Sequence, residues 1–221
     1  VPVGVQPVSD YQSSGQAHVR RGAVGRGVSP RYLFGSLMLW GGYFMGLVLV
    51  YLIGSWMPSL INKLGMTVTE AAIVTAMYQA GGTLGSLFAG WLLDRINANI
   101  ALAVIYFCGG IAIVALGFSP AEVGLMSAIA FLSGFWFNGA NTGMNALSAS
   151  FYPTHARATG SSWMHGVGRI GAIVSAFVGA ELLSLGWSFS QIFLLLAIPA
   201  VLTTIMLTLK YRFGDRSNRV E

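Results

Sequence analysis

The stretch SSWMHGVGRIGAIVSAFVGAELL, from Ser161 to Leu183, is apolar enough to cross a lipid bilayer, yet it carries His165 and Arg169 near its middle. A charged side chain at the centre of a bilayer costs at least about 2.5 to 3.5 kcal/mol. Arg169 lies about ten residues into the apolar run, which at a rise of about 1.5 Å per residue places it near mid-depth. We therefore expect a transmembrane helix whose internal charge has a function.

The composition of the whole chain is that of a membrane protein. Of its 221 residues, 55% are apolar and only 9% are charged, and the mean hydropathy is +0.69. A soluble domain carries about 25% charged residues. The net charge is +5, but the basic residues gather at the two ends and in short loops, without a basic groove. This pattern indicates membrane topology and argues against a nucleic-acid partner.

Six apolar runs reach the roughly 20 residues that a membrane-spanning helix needs. They predict an all-α, polytopic membrane protein with a six-helix bundle over residues 32–210. Pro58 is expected to close the first span, because proline interrupts helical hydrogen bonding. We interpret residues 1–31 as a disordered cytoplasmic linker, residues 211–221 as a cytoplasmic tail, and the chain as a fragment of a longer protein. The predicted spans are residues 33–57, 68–93, 100–118, 122–150, 158–184 and 189–209.

The charges orient these spans. Because six is an even number, both ends of the bundle must lie on one side of the membrane. The basic residues on that side are Arg20, Arg21, Arg26, Arg31, Arg95, Arg157, Lys210, Arg212, Arg216 and Arg219. The other side keeps only Lys63, with Glu70 and Glu122. By the positive-inside rule, both ends are cytoplasmic, which predicts a multi-pass protein of the inner (plasma) membrane.

Polar residues inside the spans fall at helical spacing and therefore share helix faces. Three polar faces and one aromatic stripe result, formed by Asn138, Asn141 and Asn145; by Ser162, His165 and Arg169; by Thr75, Gln79 and Thr83; and by Trp40, Tyr43, Phe44, Leu47 and Tyr51. Lipid cannot satisfy amides, an imidazole or a guanidinium. We therefore expect the polar faces to turn towards each other or towards a wet cavity.

These faces suit a small anion with a flat apolar body. A guanidinium pairs with a carboxylate through two hydrogen bonds, and aromatic rings pack on another ring. The candidate substrate-binding residues are Arg169, His165, Gln79, Asn138, Asn141 and Tyr43. Structural alternatives stay open: Arg169 as an ion-pair partner of Glu181, His165 as a packing residue, and the asparagines as helix bridges. No metal site or cofactor is expected.

Small residues recur at helical spacing in two spans. The second span has Gly81, Gly85 and Ala89 in one stripe, beside Gly82, Ser86 and Gly90. The fifth has Gly168, Ala172, Ala176 and Ala180, beside Gly171, Ser175 and Gly179. Such stripes let helix backbones approach closely in lipid.

The segment GWLLDR, from Gly90 to Arg95, resembles the signature of the major facilitator superfamily in the cytoplasmic loop after its second and eighth helices. That signature continues with a glycine and a basic pair, whereas this chain has Asn97, Ala98 and Asn99. The resemblance implies one half of a major facilitator fold, the carboxyl-terminal bundle. It also implies a gating role for Gly90, Asp94 and Arg95.

Three further stretches are similar to the aromatic acid:proton symporter family, which imports benzoates and hydroxybenzoates. They are YFMGLVLVYLIGSWMPSLI, GANTGMNALSASFYPTHARATGSSW and GVGRIGAI. The resemblance implies a binding or coupling role for Arg169 and a gating role for Arg157. It implies a small aromatic carboxylate and a proton as partners, together with a missing amino-terminal half that holds the coupling carboxylates.

Three competing functions are an intramembrane enzyme, a non-transporting membrane scaffold or channel subunit, and a major facilitator carrier of another substrate class. An intramembrane serine protease needs a Gly-x-Ser motif, but Phe131 stands where Ser133 would require the glycine. The sequence therefore argues against an enzyme. The remaining alternative is a major facilitator carrier of another substrate class, a sugar or a dicarboxylate.

Overall fold

Six long helices followed by a π-helical turn make up residues 30–214, the part of the chain that this computed structural model describes. The helices are α1 (Pro30–Lys63), α2 (Val68–Leu93), α3 (Ala98–Gly117), α4 (Val123–Phe151), α5 (Thr154–Ser184) and α6 (Phe189–Leu209), and the turn is Lys210–Gly214. The all-α expectation is confirmed for this range. Residues 1–29 of the predicted linker and 215–221 of the predicted tail lie outside it.

Five of these helices are long and apolar enough to cross a membrane: α1, α3, α4, α5 and α6. Helix α2 is long enough, since 26 residues extend about 39 Å, but its polar residues lower its hydropathy. That α2 also crosses the membrane therefore stays a prediction. Helices α2 and α6 begin and end at the same residues as the second and sixth predicted spans.

Helix α1 corrects the prediction made for Pro58. The helix does not end at this proline but continues to Lys63. The turns beyond it are anchored by tertiary contacts, because Leu60 and Ile61 are buried and the Lys63 ammonium donates to the Leu183 carbonyl at 3.3 Å. Proline is tolerated inside membrane helices where neighbouring helices stabilise the interrupted turn.

The helices pack mainly in pairs, α2 with α4, α1 with α5, and α3 with α6, and α3 also packs on α4. The stripe Gly81, Gly85 and Ala89 is buried at the α2–α4 contact, as the spacing predicts. In α5 the stripe that contains Gly171, Ser175 and Gly179 is buried, whereas Ala176 and Ala180 are exposed. The α1–α5 contact therefore uses this stripe together with Gly168, and leaves Ala176 and Ala180 of the other stripe unpacked.

The α1–α2 and α5–α6 connections use the same local chemistry. Segments LGMTVTE (64–70) and LGWSFSQ (185–191) each have glycine at positive φ, 85° at Gly65 and 72° at Gly186. Each then starts a helix with a capping box, Thr67 with Glu70 for α2 and a serine with a glutamine for α6. Capping boxes satisfy the free N–H groups of a helix start, so both helices have a defined starting residue.

Candidate functional site

Four residues from three helices form a cluster that includes the arginine in the middle of α5, which we call the arginine cluster: Tyr43 from α1, Asn145 from α4, and His165 and Arg169 from α5. The Tyr43 hydroxyl faces the Asn145 side chain and lies within electrostatic range of the Arg169 guanidinium. The Tyr43 ring meets the His165 ring edge-on, with centroids 5.3 Å apart. Residues far apart in sequence therefore converge on one cation.

Arg169 is exposed in this structure. Within residues 30–214 it makes no ion pair, so the alternative pairing with Glu181 is not formed. Its neighbours supply a hydroxyl, an amide and two rings but no carboxylate. The guanidinium is therefore free to receive an anion.

The Gly168 backbone lets α1 and α5 come together beside this cluster. A Cβ atom at Gly168 would meet the Tyr43 ring at 2.5 Å and Leu47 at 2.7 Å, which is closer than van der Waals contact. About one turn towards the start of α5, the Trp40 and Trp163 rings stack with centroids 6.0 Å apart. The arginine cluster is therefore bordered by aromatic rings from both helices, which we call the aromatic wall: Trp40 and Tyr43 from α1, and His165 and Trp163 from α5.

A second polar site lies between α2 and α4, and we call it the amide cleft. It is an open cleft of about 320 Å³, lined by Gln79, Gly82, Thr83, Ser86, Asn138, Asn141 and Thr142. Asn138 Nδ2 and Asn141 Oδ1 are buried there without a hydrogen-bond partner among the described residues. The Asn138 amide faces the Tyr78 hydroxyl without reaching full hydrogen-bond geometry. The cleft thus offers an unused donor and an unused acceptor.

The structure sorts the six candidate binding residues into these two sites. Tyr43, His165 and Arg169 belong to the arginine cluster, and the other three line the amide cleft. Asn145 and Trp163 were not among the candidates. The sequence contained a signal for Asn145, since it lies one helical turn after Asn141 on the same polar face. It contained none for Trp163, whose contact depends on how α1 and α5 pair.

The candidate gating residues lie near the end of α2 and the start of α5. Asp94 caps α2 and its backbone N–H donates to the Gly90 carbonyl at 3.2 Å. The Arg95 guanidinium lies 5.0 Å from the centre of the Trp91 ring. Arg157 is exposed in the first turns of α5. The expected pairing of the Asp94 carboxylate with a basic group is not seen in the described range.

The residues that depart from the superfamily signature have structural roles. Asn97 caps α3, because its side chain accepts from the Asn99 N–H at 3.0 Å. The Asn99 side chain accepts from the Lys210 ammonium at 2.9 Å, and this ammonium lies 4.2 Å from the centre of the Phe151 ring. Lys210 is 2% exposed, so it is a buried link between α3, α4 and the chain beyond α6.

Comparisons with known proteins agree with this architecture. The sequence model of the Major Facilitator Superfamily matches residues 39–221. The chain is 44% identical over 182 residues to the 4-hydroxybenzoate transporter PcaK of Pseudomonas aeruginosa, covering 82% of this chain and 41% of that protein. It is 44% identical over 172 residues to the gallate transporter of Pseudomonas putida, covering 78% and 38%. The chain thus spans about two fifths of the length of these curated relatives.

Among solved structures, the chain is similar to a bacterial homolog of the human lysosomal transporter Spinster, in an inward-facing and unoccupied conformation. The TM-score is 0.64 at 17% identity, covering 82% of this chain and 43% of that one. At this identity, the likeness shows the fold alone.

Proposed function

Because the chain belongs to the major facilitator superfamily, we propose that it is the carboxyl-terminal part of a proton-coupled carrier that imports aromatic carboxylic acids. The observation that carries the proposal is the arginine cluster, in which Arg169 has no ion-pair partner within residues 30–214 and adjoins two rings. The names of two relatives, a 4-hydroxybenzoate transporter and a gallate transporter, support the substrate class. Superfamily and relatives are transporters, not enzymes.

The substrate carboxylate is assigned to Arg169. A guanidinium offers two parallel N–H donors to a carboxylate, and the pair is strongest where water is excluded. The apolar ring of the substrate is assigned to the aromatic wall, where offset or edge-on ring contacts contribute about 0.5 to 1.5 kcal/mol each beyond burial. Tyr43 and His165 supply these contacts.

The amide cleft is assigned to the polar wall of the path that the substrate takes through the carrier. Asn138 and Asn141 each keep one buried polar atom without a partner within residues 30–214, and an unsatisfied buried group favours water or a polar ligand. Gln79 lies exposed at the mouth of the cleft. We assign these side chains to substrate hydration and passage.

Proton coupling requires a protonatable group in the pathway. The acidic residues within residues 30–214 are Glu70, Asp94, Glu122 and Glu181, and all lie at or near helix ends. We therefore place the coupling carboxylates in an amino-terminal half that completes the carrier. In that carrier, Gly90, Asp94, Arg95 and Arg157 act at the cytoplasmic gate, and both ends of this segment lie on the cytoplasmic side of the inner membrane.

Replacing Arg169 tests the proposal. In the complete carrier, Arg169→Ala should lower uptake of labelled 4-hydroxybenzoate by at least about 100-fold, since removing one partner of a desolvated charge pair costs several kcal/mol. Arg169→Lys should retain partial uptake, because it keeps the charge but loses the two-point contact. Arg212→Ala, at an exposed arginine beyond α6, is the matched control and should transport normally.

Unchanged uptake by the Arg169→Ala carrier would remove this residue from the mechanism. Competition separates the alternative substrate classes. Excess unlabelled benzoate should block uptake of the labelled acid, whereas a panel of sugars and dicarboxylates should not. Inhibition by a sugar or by a dicarboxylate alone would contradict the aromatic assignment.

A further inference from the structure

The His165 ring is held in one orientation by a hydrogen bond within its own helix. His165 Nδ1 lies 2.7 Å from the Ser161 carbonyl oxygen. A carbonyl oxygen only accepts hydrogen bonds, so Nδ1 carries the proton of the neutral ring. Nε2 is then left as an acceptor, and nothing in residues 30–214 donates to it. His165 therefore presents an unused acceptor on an exposed side chain.

This acceptor lies one helical turn from the proposed carboxylate site. His165 and Arg169 are four residues apart in α5, which places their Cβ atoms about 5 to 6 Å apart on one helix face. That spacing is close to the distance between the carboxyl carbon and the hydroxyl oxygen of a para-hydroxylated benzoate. Tyr43 contacts His165 edge-on and lies near Arg169, so a ring anchored at Arg169 would extend along Tyr43 towards Nε2.

We propose that His165 Nε2 accepts a hydrogen bond from a ring hydroxyl of the substrate, so that this side chain selects hydroxylated aromatic acids over unsubstituted ones. The inference rests on the proposed function and specifies the substrate class of the same site. A site built to hydrogen-bond a substrate hydroxyl discriminates strongly against an analogue that lacks it, because its own polar group is then left unpaired. Benzoate would leave Nε2 without a partner.

Two substitutions distinguish the roles of the two ring nitrogens of His165. The His165→Asn amide reaches only the Nδ1 position and keeps the bond to the Ser161 carbonyl. The His165→Gln amide reaches the Nε2 position and can present its carbonyl oxygen there as an acceptor. In the complete carrier, the ratio of kcat/KM for 4-hydroxybenzoate to kcat/KM for benzoate should fall about tenfold in His165→Asn and by less than about threefold in His165→Gln.

The wild-type carrier supplies a test that needs no mutant. Fluorine is similar in size to a hydroxyl group but cannot donate a hydrogen bond, so 4-fluorobenzoate should compete about tenfold more weakly than 4-hydroxybenzoate. Equal competition by the two acids would overturn the inference.

The outcomes distinguish this inference from the proposed function. A wild-type carrier that takes up neither acid refutes the proposed function. Uptake of both acids with an unchanged ratio in His165→Asn refutes the role of Nε2 and leaves the carrier assignment standing. A purely structural histidine would lower uptake of both acids in proportion, which also leaves the ratio unchanged and overturns the inference.

Discussion

Gly85 and Gly168 lie one in each of the two helix pairs that hold the polar sites, and they face different kinds of atoms. At the α2–α4 contact, a Cβ atom at Gly85 would collide with the backbone carbonyl of Phe135. At the α1–α5 contact, a Cβ atom at Gly168 would meet the ring of Tyr43. A backbone carbonyl is fixed by its own helix, whereas a side-chain ring can rotate aside.

The comparison indicates that the two sites differ in stiffness. The amide cleft lies between backbones in direct contact, so its shape is set by the helices themselves. Beside the arginine cluster, Gly168 packs on side chains, so this part of the contact adjusts more easily than the part at Gly171, which meets the Phe44 backbone carbonyl. Sub-ångström shifts at a binding site are amplified into larger movements where a packed interface has two stable arrangements.

The largest effect is expected from Gly85→Ala. The added methyl group has no space, since the neighbouring atoms belong to the Phe135 backbone, and we expect about 3 kcal/mol of destabilisation. Gly90→Ala on the same helix is the matched control, because no atom lies within 4 Å of its Cβ position. It should change stability by less than about 1 kcal/mol, in the stabilising direction, because alanine favours helix.

Unfolding of the purified complete carrier in detergent, followed against denaturant, measures both values. A Gly85→Ala variant as stable as Gly90→Ala would show that the α2–α4 backbones are not locked together.

A smaller effect is expected from Gly168→Ala. Tyr43 and Leu47 can shift to make room, so the destabilisation should be about 1 kcal/mol, measured by the same unfolding experiment. Gly166→Ala, where nothing lies within 4 Å, is the control two residues away. A loss as large as that of Gly85→Ala would contradict the difference in stiffness between the two contacts.

The smallest effect is expected from Tyr43→Phe. Removing the hydroxyl removes its polar contact with the Asn145 side chain, and hydrogen bonds between membrane helices contribute about 0.6 kcal/mol on average. Tyr51→Phe, at a side chain that is 50% exposed, should leave the free energy of unfolding unchanged. Equal effects of the two substitutions would show that the Tyr43 hydroxyl does not stabilise the arginine cluster.

Much of the local architecture could be predicted because it depends on neighbours in sequence. Apolar run length predicted the helices, and spacing predicted the buried stripe of Gly81 and Gly85 and the polar face that includes Asn145. The prediction for Pro58 was wrong because it used local propensity alone. Contacts from α5 hold the end of α1, and these come from more than a hundred residues away.

The sequence predicted which residues belong to the site but not how they are arranged in space. Helical periodicity indicates that His165 and Arg169 share a face, yet it does not indicate which helix meets that face. Asn99 illustrates the same limit, since its role as the acceptor for the buried Lys210 ammonium depends on a residue 111 positions away.

The sequence by itself determined that the chain is a helical membrane protein with an arginine near the middle of one of its apolar helices. Each residue contributes its own free energy of transfer between water and lipid, so this conclusion needs no knowledge of which helices touch. Only the tertiary structure decided that Tyr43 and Asn145 meet that arginine, and that Gln79 meets the other asparagines in a separate cleft. Which faces touch depends on where glycines let two backbones approach, and that is a property of pairs of helices rather than of either one alone.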